Sequence, residues 1–96
     1  MQRSTRSRLD KDGAETIALQ AFAYLAADPQ RLARFLSLTG IAPGQLRSEA
    51  KTAEFQGAVL DHMMGDESLL LAFCQDAGIN PESMRGAHVL ITGLPD

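Results

Sequence analysis

Ninety-six residues with 45% hydrophobic and 22% charged side chains make one globular domain with a modest core, too short for several domains and too apolar for a disordered chain. No run approaches the roughly 18–20 apolar residues that span a bilayer, the N-terminus lacks the apolar segment of a secretory signal, and the single Cys74 excludes an internal disulfide, so a cytoplasmic setting is expected. Charge is divided: residues 1–11 carry Arg3, Arg6, Arg8 and Lys11 against Asp10, a net of +3, while residues 12–96 carry five basic and eleven acidic groups, a net of −6.

Residues 1–12, rich in Ser, Thr and Arg, read as a disordered basic arm. From Ala14 to Ala27, Ile17, Ala18, Ala21, Phe22 and Leu25 recur at helical spacing, with Asp12 the expected N-cap. Leu19, Ala23 and Ala26 occupy the other side, which predicts a central helix buried on much of its circumference. Asp28-Pro29 opens a second helix, since Asp accepts from free N–H groups and Pro has none to lose at the first position. Leu32, Phe35, Leu36 and Thr39 form its inner stripe. Gly40 suits the positive φ of a helix stop, and Ile41 can fold back on the helix end. Pro43 opens a short third helix to about Ala50, with Leu46 inward.

Thr52 to Met64 reads as a fourth helix, its stripe formed by Phe55, Ala58, Val59, His62 and Met63. After Gly65, Asp66 caps a fifth over Glu67 to Ala77, with Leu70, Phe73, Cys74 and Ala77 inward. Asn80-Pro81 starts a sixth that runs to about Ala87. The tail, residues 88–96, is expected to dock as coil or helix extension, or to stay flexible.

The chain repeats itself. Residues 28–47 and 66–85 align at an offset of 38, with identities at Asp28/Asp66, Leu32/Leu70, Phe35/Phe73, Gly40/Gly78, Ile41/Ile79, Pro43/Pro81 and Arg47/Arg85. Chance would give about one such identity in twenty positions. The expected fold is therefore all-α: a compact bundle of five or six short helices over residues 13–87, built from two similar three-helix units, 14–50 and 52–87, each with a Gly-Ile-x-Pro corner.

Most distinctive residues have an architectural explanation. Cys74 lies on an apolar stripe, so a buried, inert thiol is expected. Asp61, His62 and Asp66 form a weak metal pattern, because Gly65 interrupts the helix and no second His or Cys lies near. His62 suits the rim of the core, and His88 carries no motif. No phosphate loop, nucleophile elbow, H-E-x-x-H or C-x-x-C is present. The expectation is a non-enzymatic protein with no catalytic residue, metal or cofactor and no evident small-molecule ligand, acting by contact with a protein partner or as a homodimer. Candidate interaction residues are Leu38, Leu69 and Leu71, together with Val89–Ile91, which would form an interface if exposed. Arg47 and Arg85 join them, because they repeat and architecture does not require them.

The corner RLARFLSLTGIAPGQLRSEAK also resembles a helix-turn-helix, which would offer Gln45, Arg47 and Lys51, or Glu82, Ser83 and Arg85, to DNA. An acidic body repels phosphates, so nucleic acid is the weaker alternative. The strings D-P-x-R-L-x-R-F-L-x-L-T-G-I and L-L-A-F-C resemble a family of small, uncharacterised helical proteins from alphaproteobacteria, over about Ala14–Arg85. That resemblance implies an all-helical domain and no catalytic residue, cofactor or partner.

Overall fold

The computed structural model describes residues 9–94. The described residues form six α-helices: α1 (Lys11–Ala26), α2 (Pro29–Thr39), α3 (Leu46–Glu49), α4 (Ala53–Met64), α5 (Glu67–Ala77) and α6 (Pro81–Thr92), with a 3₁₀ turn at Pro43–Gln45 leading into α3. No strand occurs among the described residues, and the fold is all-α as the periodicity predicts.

Local chemistry sets most helix ends. Asp28 Oδ1 accepts from the N–H of Gln30 at 2.9 Å, Asp66 from Leu69 at 3.2 Å, Asn80 from Ser83 at 2.9 Å, and the Thr52 hydroxyl from Phe55 at 3.1 Å. Gly40 and Gly78 both adopt the left-handed conformation, with φ of 78° and 71°, where a side chain would strain the backbone. The first helix begins earlier than expected. Its cap is Asp10, which accepts from Gly13 N–H at 2.8 Å; Asp12 lies inside the first turn. Leu9 packs on the core beside Gly13 and Gly86, so residues 9–12 belong to the folded body. The expectation of a disordered arm otherwise falls on residues 1–8, outside the described residues.

Helix α1 is central, packed by α2, α4, α5 and α6. Its buried face is Ala14, Ile17, Ala18, Ala21 and Leu25. Contrary to the sequence reading, Leu19, Ala23 and Ala26 do not join that face: all three are exposed. So small a domain lacks the surface to enclose a helix on all sides. Phe35, Phe55, Phe73, Leu60, Met63 and Met84 fill the interior, none more than 2% exposed. Phe22, Phe35 and Phe55 meet edge to face, with centroids 5.1–6.4 Å apart, and replacing either buried member, Phe35 or Phe55, by Ala removes about 3–5 kcal/mol in such a setting.

The two corners lead into helices of different length. After Pro43 the chain makes one 3₁₀ turn and one α-turn; after Pro81 it makes twelve helical residues, ending at Gly93 with φ of 74°. Residues 88–92 of the expected tail thus continue α6, the helix-extension alternative. Met84, Ala87, His88 and Ile91 turn inward at helical spacing and seal the core against α1 and α4.

Candidate interaction site

The five residues singled out from sequence fall in different environments. Leu38, near the end of α2, is 66% exposed, and Leu71 on α5 is 48% exposed. Leu69, expected beside them, is half-buried and packs against the core, because its helical position lies next to inward-facing Leu70 and Phe73. Arg47 is exposed on α3, and Arg85, on α6, lies 3.7 Å from Glu82 one turn earlier. Of the Val89–Ile91 run, Ile91 is buried while Val89 and Leu90 face water. Leu19 and Leu94 are also exposed, a result the α1 burial pattern and the tail reading both concealed.

Three clefts among the described residues bear on function. One, of about 360 Å³, lies between α1 and α5 and is lined by Ala23, Tyr24, Phe73 and Ala77 with Gln20 and Asp76 at its edge. Tyr24 packs on Phe73 at 5.5 Å, and the Arg31 guanidinium covers the Tyr24 ring at 4.4 Å. A second, about 190 Å³, collects Arg34, Leu38, His62 and Asp66 where α2, α4 and α5 meet. Burial, and then the neighbouring Arg34, hold the His62 imidazole below its ordinary value of 6.5, with Asp66 opposing them. The ring stands edge-on to Phe35 at 5.3 Å, the core-rim position its sequence suggests.

The third cleft, about 410 Å³, separates α4 from α6. Gly57 brings the two helices together there: a methyl group added to it would meet Thr92 Cγ2 at 3.0 Å. One turn along, His88 Nε2 lies 2.5 Å from Asp61 Oδ1. The His88 ring is buried and its Nδ1 has no hydrogen-bond partner among the described residues, so the shared proton is best placed on Nε2, where a carboxylate accepts it. Asp61 itself is 69% exposed. Sequence reasoning missed this pair because its members are 27 positions apart. Cys74 is buried, and burial pushes its thiol above the ordinary range. Among the described residues, no three His, Cys, Asp or Glu side chains come together as a metal-binding group, and no helix is long and apolar enough to cross a membrane.

No curated protein and no solved structure matches this chain. A family match extends over residues 11–94, which takes in all of α6 and so reaches past the Arg85 limit of the resemblance seen in the sequence. The chain belongs to the family described as "Protein of unknown function (DUF3572)".

Proposed function

We propose that the protein works by protein–protein contact, self-association included, rather than by catalysis. The observation that carries this is the end of α6, where Val89, Leu90 and Leu94 are exposed within six positions of one another. Scattered surface leucines are ordinary; three large apolar groups at one helix end make a local surface that a partner would cover. Leu38 and Leu71 add apolar surface elsewhere on the bundle. Light scattering over a concentration series tests the self-association form. The expected result is a mass above 10.3 kDa that rises with concentration and returns to the monomer in the double variant Leu90→Ser/Leu94→Ser. A monomer at every concentration sinks it.

Nucleic-acid binding at a corner is the weaker reading. Helix α3, which would follow the first corner as a recognition helix, is a single four-residue turn. The described residues carry six basic side chains against eleven acidic ones, a balance that repels a phosphate backbone.

A further inference from the structure

We infer that the outer face of α1, with the cleft between α1 and α5, is a docking site for a basic amphipathic helix of a partner protein. The inference rests on the reading of protein–protein contact and adds a surface apart from the α6 end. Residues 16–27, which make up most of α1 and its cap, carry no charged side chain. A helix that is apolar on every side belongs in an interior. Four helices pack on its inner side, yet Thr16, Leu19, Ala23 and Ala26 are left facing water. Their spacing of three, four and three positions is that of a helix-pairing seam. The seam rises about 15 Å at 1.5 Å per residue, so a helix of about three turns covers it.

Size and charge sharpen the partner's chemistry. Beside the seam, Ala23, Ala27 and Ala77 border the hollow of about 360 Å³ that Tyr24 and Phe73 also line. Small side chains here require large ones opposite, so leucine or methionine knobs fit the partner's inner face. Asp76 stands at the rim, in the last turn of α5, where the helix dipole is already negative and a carboxylate is unfavourable. Neither α1 nor α5 has a basic residue in its last turn. Among the described residues, Asp76 joins none of the ion pairs. The nearby cation, Arg31, is engaged by the Tyr24 ring at 4.4 Å and by Asp28 at 3.9 Å. A lysine or arginine flanking the partner's apolar seam would answer that charge, with its aliphatic stem lying over the alanines.

The test titrates the full chain, isotope-labelled, with the helical peptide acetyl-Lys-Leu-Ala-Ala-Leu-Ala-Lys-Lys-Leu-Ala-Ala-Leu-Ala-Lys-amide and follows it by amide NMR. Expected are saturable shifts centred on Leu19, Ala23, Ala27 and Asp76 that weaken between about 20 and about 300 mM salt. An isomer of the peptide with its leucines spread around the helix should bind about tenfold more weakly, because it has no seam. Ala23→Arg, at an exposed position, should fill the hollow and weaken binding by about the same factor without lowering the melting temperature. Asp76→Asn should weaken binding about threefold, as a solvent-facing ion pair allows. No saturable shift up to about 1 mM peptide overturns the inference. So do equal binding of the isomer, wild-type affinity in Ala23→Arg or Asp76→Asn, and shifts centred instead on Leu90 and Leu94. Self-association is a separate readout: a strict monomer that binds the peptide at α1 supports the inference, and an associating chain that ignores the peptide removes it.

Discussion

Asp61 and His88 show how one exposed and one buried group divide a task. The His88 ring is enclosed between helices, and Asp61 supplies the acceptor that its Nε2 proton requires. Replacing Asp61 by Ala leaves that donor with water only at the cleft side, so the folded state should lose about 1 kcal/mol in urea denaturation. Asp61→Asn, which keeps an acceptor oxygen, should lose less. His62 makes a different prediction. Its imidazole titrates below 6.5, because burial and the Arg34 guanidinium both disfavour the imidazolium. The unfolded chain therefore takes up the proton first as pH falls. The contribution of neutral His62 to stability is whole above 6.5 and is lost as pH drops through the depressed folded value. In an NMR titration the wild-type midpoint should lie below 6.5 and move part of the way back in Arg34→Gln, since burial, the larger cause, remains. An unmoved midpoint would mean that Arg34 has no part in it.

At the scale of helices, two glycines make opposite predictions from the same kind of close approach. Ala in place of Gly inside a helix gains up to about 1 kcal/mol of propensity. At Gly57 the added methyl would press on Thr92 Cγ2 at 3.0 Å. The Thr92 side chain is not free to turn away, because its hydroxyl donates to the His88 carbonyl at 2.8 Å and accepts from Leu94 N–H at 3.1 Å. Gly57→Ala should therefore destabilise by about 1 kcal/mol net, and the double variant Gly57→Ala/Thr92→Ser, which removes Cγ2 and keeps the hydroxyl, should recover it. At Gly86 the methyl would meet Leu9 Cδ2 at 3.3 Å, the end of a rotatable side chain, so Gly86→Ala should be neutral or stabilising. Thermal melts of the three variants decide both cases. Capping residues were legible in the sequence because their chemistry is local: Asp28, Thr52, Asp66, Asn80, Gly40 and Gly78 act within a few positions of themselves. The length of α6 was not, since Val89-Leu90-Ile91 is a largely β-branched apolar run that strand and helix both accept. The signal that resolves it is Gly93 followed by Pro95, a helix stop at the right distance.

Across the whole molecule, what escaped the sequence is contact between distant segments. Leu9 reads as a lone apolar residue in a basic arm, yet the fold places it between Gly13 of α1 and Gly86 of α6, more than seventy positions away. The cleft shared by Glu54, Asp61 and Thr92 was hidden for the same reason, since no spacing along the chain announces which helices will be neighbours. The central helix explains why the N-terminal edge matters. α1 and α6 pack along one another, and Leu9 with the Asp10 cap closes the open end of that contact. A chain beginning at Leu9 retains both contributions. One beginning at Lys11 gives up a helix cap of about 1 kcal/mol and most of a packed leucine. Its loss should be about 2–3 kcal/mol, large against the total stability of so small a domain. Equal melting of the two truncated chains would show that the folded body begins at α1 itself, and that Leu9 only rests on its surface.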